Sequence, residues 1–356
     1  MPTSGVQEKD LKEITQAVGA DASRFSGKTI LMTGGAGFLG RYFQSFFAHI
    51  NKEVLKSPCR LISLDNYITG SESAKEPGGH SSRFVHLKHD IIQPIRLDEP
   101  VDYIIHAAGI ASPFYYRKYP LETLEVATTG TRRMLELAME KRVEGFVFFS
   151  SSEIYGDPDP RHVPTPESYR GNVACLGPRA CYDESKRVGE TLCYVFHGMH
   201  GVKTRIIRPF NIYGPGMRET DYRVLPNFAS RILKGQPLHI YGHGNQTRTF
   251  CYISDAMAGF LKVLLLGVPG EAYNIGNPDP EISMQDLAKL LEKVLGKKLA
   301  VDLIEYPDAY PGDEPMRRCP DLTKARSQLG YHPGVALSDG LSRFMDWAKR
   351  HYPTGK

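Results

Sequence analysis

The sequence predicts an α/β protein built on a doubly wound parallel sheet, and three observations carry that prediction. Short apolar runs alternate with helical stretches from Lys28 to about Ile207, the pattern of parallel strands joined by crossover helices. The run Thr33-Gly34-Gly35-Ala36-Gly37-Phe38-Leu39-Gly40 lies between the first such strand and the first such helix. About 145 residues later, Tyr182-Asp183-Glu184-Ser185-Lys186 opens another helix, with Tyr182 and Lys186 on one face. The first motif suits a dinucleotide and the second a proton transfer beside it, which together point to redox chemistry at a hydroxyl.

The elements follow in order. Leu11, Ile14 and Val18 at helical spacing predict a short amphipathic helix over 7–18 that packs on the body or on a second subunit; a frayed terminal extension is the other reading. Thr29-Ile30-Leu31-Met32 is a buried strand, followed by the glycine turn and a helix over about 41–50. Arg60-Leu61-Ile62-Ser63-Leu64 is the next strand, closed by Asp65. Further strands fall at Phe84-Val85-His86-Leu87, Val101-Asp102-Tyr103-Ile104-Ile105 and Gly145-Phe146-Val147-Phe148-Phe149, with a helix over about 123–140 before the last. A helix over about 182–197 and the strand Lys203-Thr204-Arg205-Ile206-Ile207 complete a Rossmann-type unit. After Pro209 the segments shorten and Pro and Gly cluster, with helices over about 223–233, 284–295 and 338–352. The chain thus divides into an N-terminal extension (1–26), a dinucleotide-binding domain (27–208) and a smaller substrate-binding lobe (209–356) that returns some elements to the sheet.

Composition narrows the function classes. With 356 residues, 41% hydrophobic and 24% charged, the chain can bury a large core. A net charge of +4 and the lack of a dense Lys/Arg run with interleaved aromatics give no case for nucleic-acid binding, while anionic small molecules remain suitable ligands. The six cysteines form no C-x-x-C pair and have no nearby His at metal-ligand spacing, so no metal is expected and a reducing, cytoplasmic setting fits. No apolar run of about 18 residues occurs, so neither a signal peptide nor a membrane span is expected.

Glycine lets the backbone approach a diphosphate closely, and the helix that follows offers it unpaired N–H groups and a positive dipole end. A glycine turn serving only helix–strand packing is the competing reading. Asp65, 25 residues past Gly40, stands near the distance at which an acidic residue reaches the adenosine ribose hydroxyls. A carboxylate there favours NAD over NADP; the alternative is a strand-ending Asp that caps a turn. Asp90, ending the next strand, faces the adenine by the same geometry. Tyrosine ionises near pH ~10 in solution, so an adjacent ammonium is needed to favour its phenolate. Lys186, together with the Ser150-Ser151-Ser152-Glu153 strand end projecting into the same cleft, supplies that context.

These motifs, with His106-Ala107-Ala108-Gly109 and Arg208-Pro209-Phe210-Asn211-Ile212-Tyr213-Gly214-Pro215, resemble the extended short-chain dehydrogenase/reductase superfamily, the NAD-dependent nucleotide-sugar epimerases and dehydratases. The resemblance spans about residues 27–350. Within it, Gly177-Pro178-Arg179-Ala180-Cys181-Tyr182-Asp183-Glu184-Ser185-Lys186-Arg187, Ala111-Ser112-Pro113, Tyr155-Gly156-Asp157 and the stretch from Tyr241 to Phe250 are similar to the UDP-glucuronate decarboxylases. The resemblance implies Ser151, Glu153, Tyr182 and Lys186 as catalytic residues. It implies Gly34, Gly37, Phe38, Leu39, Asp65, Asn66, Asp90, Ile91 and Ala107, with Tyr182 and Lys186, around NAD. It also implies Tyr116, Arg179, Asn211, Arg218, Val224, Tyr241, Arg248 and Arg318 around a UDP-linked sugar. Tyr182 would take the proton from the sugar's 4-hydroxyl as hydride leaves carbon 4, making carbon dioxide loss from carbon 6 possible. The helices over 123–140 and 182–197 match those that pair two subunits in the superfamily, so a homodimer is implied.

Glu153 discriminates between reactions. Dehydratases of the superfamily carry an Asp-Glu pair where this chain has Ser152-Glu153, and simple epimerases usually lack the carboxylate. A glutamate paired to a nearby arginine for structure alone is the bland alternative. Three departures bear on the branch: Gly216 stands where the decarboxylases have arginine, Ala127 where they have asparagine, and Arg218-Glu219-Thr220-Asp221-Tyr222 replaces their glycine-rich loop. Arg218 is the candidate to replace the missing arginine. Carbon-4 epimerisation, 4,6-dehydration and apiose formation share the first oxidation and are the alternatives, with a non-catalytic nucleotide-binding protein as the alternative of another class.

Overall fold

The computed structural model describes residues 7–70, 83–306 and 315–353. The first half runs through α1 (Glu8–Val18), β1 (Thr29–Thr33), α2 (Phe38–Glu53), β2 (Arg60–Asp65), β3 (Phe84–Lys88) and β4 (Tyr103–His106). It continues through α3 (Pro113–Lys118), α4 (Pro120–Glu125), α5 (Thr131–Lys141), β5 (Gly145–Phe149), α6 (Ala180–His200) and β6 (Thr204–Pro209). The second half holds β7 (Ile212–Tyr213), α7 (Val224–Leu233), β8 (Leu238–Tyr241), β9 (Thr247–Arg248), β10 (Cys251–Tyr252), α8 (Ile253–Leu266) and β11 (Ala272–Ile275). β12 (Ile282–Ser283), α9 (Met284–Leu295), β13 (Val301–Ile304), β14 (Arg317–Arg318), α10 (Thr323–Leu329) and α11 (Leu337–His351) complete it. Among the described residues no helix is long and apolar enough to cross a membrane.

Seven strands pair in the order β11-β6-β5-β4-β1-β2-β3, all in parallel. β1 and β5 are buried along their whole length, as parallel strands covered on both faces must be. The two-residue period splits β1 between two apolar layers. Ile30 and Met32 join Ile14 of α1, Phe46 of α2 and Phe260 of α8 in one layer. Leu31 joins Leu135 of α5 and Phe196 of α6 in the other. β11, from the second half of the chain, extends the sheet beyond β6.

Two segments differ from expectation. The helix expected over 123–140 runs from Pro120 to Lys141 but widens to a π-helical segment at Val126–Gly130. Thr123 and Thr128 donate their hydroxyls to the carbonyls of Tyr119 and Leu124, each at 2.7 Å, which competes with the regular ladder. Helix α8 was not anticipated, because its sequence is apolar on nearly all sides and presents no amphipathic contrast.

The N-terminal helix is docked, not frayed. Asp10 is fully buried and accepts hydrogen bonds from Tyr42 Oη of α2 at 2.9 Å and Tyr252 Oη of β10 at 3.1 Å. Glu13 beside it pairs with Arg343 of α11 at 2.8 Å. Burial pushes the Asp10 carboxyl up to about 6 from its ordinary 3.8, with the two tyrosine hydroxyls acting in the opposite direction. Between those values the folded chain binds more protons than the unfolded one, so this group's contribution to stability falls as pH rises and is flat above about 6. Asp10→Asn is therefore expected to gain on the wild type by roughly 2–3 kcal/mol across that window, measured as the difference in urea unfolding free energy against pH. A difference that does not change with pH would remove Asp10 as the source.

Candidate active site

The site forms at the carboxyl ends of the sheet strands. Leaving β1, the chain turns through Gly34 at φ +76°, where a Cβ would lie 2.8 Å from Ala108 N. Gly40 sits so close to the turn that a Cβ would lie 2.3 Å from Gly34 O. Helix α2 then starts at Gly37 with no side chain capping its first amides, so these donors are available to an anion. Gly34, Gly37, Phe38, Leu39, Asp65, Asn66, Asp90, Ile91 and Ala107 all line one cavity of about 270 Å³. Asp65 accepts from Ala36 N at 2.9 Å and Tyr67 N at 2.8 Å, and a carboxylate retains lone pairs for further donors such as ribose hydroxyls. Asn66 Nδ2 donates to Asp90 at 3.0 Å. Glycine cradle, uncapped helix and strand-end carboxylate together fit a dinucleotide.

Tyr182 and Lys186 stand on α6 with both side chains buried. The Tyr182 ring stacks on Tyr116, centroids 5.3 Å apart and planes at 14°. Lys186 Nζ donates to Phe149 O at 2.8 Å and lies 5.8 Å from the Tyr182 ring centroid. A Cβ on Gly109, which lines the dinucleotide cavity, would lie 2.9 Å from Lys186 Nζ, so the lysine borders that cavity. The Lys186 charge expected to favour the phenolate is opposed here by burial. Burial raises the Tyr182 pKa above its ordinary value and outweighs the hydrogen bond from Ser151. Burial also pushes the Lys186 ammonium down to about 8.

Glu153 lies in a short 3-10 turn after β5, where Ser151 caps the turn by accepting from Glu153 N at 3.2 Å. Its carboxylate is bound by Arg179 Nη2 and by Arg318 through both Nη1 and Nη2. Arg179 also reaches Asp183 at 3.4 Å. β9 and β14 are paired so that Arg248 and Arg318 are register partners. The fold therefore gathers Arg179 and Arg318 on one carboxylate, with Arg248 alongside on the neighbouring strand. Asn211 adopts φ +44° and donates Nδ2 to Thr249 O at 2.9 Å, a left-handed conformation that asparagine tolerates. Val224 opens α7, and Tyr241 on β8 stacks against Tyr306 at 5.4 Å. Arg218 lines the dinucleotide cavity and donates to Thr69 O.

Two groups to which the sequence assigned no role support the site. Glu190, one helical turn after Lys186, accepts from Ser150 Oγ and from Arg208 at 2.9 and 2.6 Å; its spacing from Lys186 was the available signal. His106, fully buried, bridges Thr33 Oγ1 at 2.8 Å and Thr131 Oγ1 at 2.9 Å. Burial, aided by the Lys186 charge, pushes this imidazole down to about 3, so it is neutral and fixes the β4 end beside the glycine turn. Among the described residues no cluster of His, Cys, Asp or Glu is arranged to hold a metal ion.

Residues 30–276 match the model of the NAD dependent epimerase/dehydratase family. The chain is 41% identical over 318 residues to UDP-glucuronic acid decarboxylase 5 of Arabidopsis thaliana, covering 89% of this chain and 88% of that protein. It is 38% identical over 324 residues to UDP-glucuronic acid decarboxylase 1 of Xenopus tropicalis, covering 91% and 72%. Among solved structures, dTDP-glucose 4,6-dehydratase from Streptomyces venezuelae with NAD bound is similar at TM-score 0.78 and 28% identity, over 91% of this chain and 97% of that one. UDP-glucuronic acid 4-epimerase from Bacillus cereus, solved with UDP-glucuronic acid and NAD, is similar at TM-score 0.74 and 27% identity, over 91% and 100%.

Proposed function

The chain belongs to the NAD dependent epimerase/dehydratase family, and on that premise we propose that it decarboxylates UDP-glucuronate to UDP-xylose. Its cofactor is NAD, which when bound takes a hydride from sugar carbon 4 and returns it at the end of the cycle. Tyr182 accepts the 4-hydroxyl proton, and Ser151 hydrogen-bonds the same oxygen. Because burial holds the Tyr182 phenol neutral at rest, the Lys186 charge nearby is what favours its ionisation during the transfer. The resulting 4-ketone lies beta to the carbon-6 carboxylate. The electron pair of the bond to carbon 6 then moves toward the ketone oxygen as carbon dioxide leaves. A proton is taken up at carbon 5, and Tyr182 returns its proton to oxygen 4.

The observation that carries this reading is the pairing of Glu153 with Arg179 and Arg318. Ser152 stands where dehydratases of the superfamily carry the Asp that acts as acid on the departing 6-hydroxyl, which disfavours dehydration. The same arginines supply planar, bidentate partners for a sugar carboxylate. Mass spectrometry after incubation with NAD and UDP-glucuronate tests it: a UDP-pentose is expected, and a product of unchanged mass would favour 4-epimerisation.

A homodimer through α4, α5 and α6 is part of this proposal. Val188, Val195 and Met199 recur at helical spacing on α6 and remain exposed, Met199 at 73%, with Leu121 of α4 and Met139 of α5 also exposed. Val195→Glu combined with Met199→Glu is expected to yield a monomer in sedimentation velocity, and an unchanged sedimentation coefficient would place the interface elsewhere. Free, unbridged cysteines at all six positions support a reducing, cytoplasmic location.

A further inference from the structure

Beside Tyr182 the fold encloses two guanidiniums and two carboxylates, and the carboxylates are unequally supported. Glu153 accepts from Arg179 Nη2 and from both Nη1 and Nη2 of Arg318. Asp183, one helical turn past Arg179 and 6% exposed, receives among the described residues one hydrogen bond, from Arg179 Nε to Oδ2 at 3.4 Å. Its other oxygen, Oδ1, is buried with no hydrogen-bond partner among the described residues. Both arginines are therefore already matched by carboxylates before any ligand enters. Burial raises the Asp183 pKa above its ordinary 3.8, with the Arg179 and Arg318 charges acting against it. Its place in the first turn of α6 also favours the ionised form at rest. The remaining titratable groups that act on it or feel it are Glu184, Tyr182 and Cys181 of its own helix.

We propose that binding of a uronic acid sugar nucleotide is coupled to uptake of one proton from solvent at Asp183, which lets the sugar carboxylate share Arg179 and Arg318 with Glu153. The inference rests on the decarboxylase reading above, in which those arginines receive the sugar carboxylate. A uronate seated there adds a negative charge to positive charges that are already matched, in an enclosed site where an uncompensated charge is costly. Protonating Glu153 would sacrifice three charge-assisted hydrogen bonds, whereas Asp183 gives up one long one. Asp183 is thus the acid that neutralises most readily, and Arg179, released from it, turns its full charge to the two remaining carboxylates. A sugar with a neutral substituent at carbon 6 brings no such charge and needs no proton. Asp183 thereby makes uronate affinity depend on pH. Its pKa is higher in the complex than in the free protein, so between those two values affinity falls about tenfold for each unit that pH rises. Outside that window the affinity is flat.

The test uses the NAD-loaded Tyr182→Phe protein, in which the sugar nucleotide survives a titration, and calorimetry near neutral pH in two buffers of different ionisation enthalpy. The dependence of the binding enthalpy on the buffer counts the protons exchanged. UDP-glucuronate is expected to bind with uptake of about one proton, and UDP-glucose, which has a hydroxyl in place of the carboxylate, with about none. Adding Asp183→Asn, which has the shape and charge of the protonated acid, is expected to abolish the uptake and the pH dependence of UDP-glucuronate affinity while UDP-glucose binds as before. Uptake that persists in Asp183→Asn would overturn the proposal and assign the proton to another group, Glu153 first. Equal heats in the two buffers with Asp183 intact would also overturn it, a result that does not depend on the Asp183 variant folding. A protein that binds UDP-glucose but rejects UDP-glucuronate at every pH would overturn the uronate reading itself, a separate failure.

Discussion

Tyr182→Phe is expected to reduce turnover of UDP-glucuronate by about a hundredfold to ten-thousandfold while leaving the fold and NAD affinity near wild type. The substitution removes one oxygen and keeps the ring that stacks on Tyr116, so packing is preserved and the loss can be assigned to proton transfer. The hydroxyl at stake is buried and held neutral, with Ser151 as its hydrogen-bond partner. Steady-state kinetics should register the change in kcat far more than in KM, because the phenol acts at the transition state. Turnover within a few-fold of wild type would remove Tyr182 from the base role and leave the cleft without a group for the first proton.

Glu190→Ala is expected to cost about 3–5 kcal/mol of unfolding free energy. Glu190 neutralises Arg208, both side chains being largely buried at 13% and 11% exposure. Arg208 also reaches Tyr155 Oη at 2.8 Å, and Tyr155 in turn donates to Asn274 of β11 at 2.8 Å. Removing the carboxylate strands a guanidinium among α6, β6 and β11 and frees Ser150, the residue before Ser151. Pairing Glu190→Met with Arg208→Met should restore much of the loss, since the uncompensated charge is then gone. Urea unfolding measures both. A loss below about 1 kcal/mol in Glu190→Ala would show that solvent reaches the pair, as it reaches surface ion pairs.

The sheet and its cofactor cradle were legible because each depends on a local pattern. Continuous apolar runs mark strands covered on both faces, and a glycine cluster between strand and helix has few other uses. The Tyr182–Lys186 spacing was legible for the same reason, since both residues lie on one helix. What escaped depends on contacts between distant segments. Glu153, Arg179 and Arg318 meet only once β14 is laid beside β9, so sequence could place them near the site but could not show that they bind one another. The direction of Arg218 was likewise not legible, because a loop following Gly216 has no periodicity to fix it. The Tyr182 environment was legible only in part, because motif spacing carries the neighbouring charge but not the depth of burial that opposes it. Helix α8, apolar nearly all round, is formed by its position beneath the sheet and α1.

The most direct measurement of the central claim is carbon-13 NMR of UDP-glucuronate labelled at carbon 6, incubated with the purified protein and NAD. The account predicts that the carboxylate resonance disappears as labelled bicarbonate grows in equal amount, while UDP-xylose accumulates. A label that stays on the sugar as a new carboxylate resonance would contradict it and identify inversion at carbon 4 as the reaction.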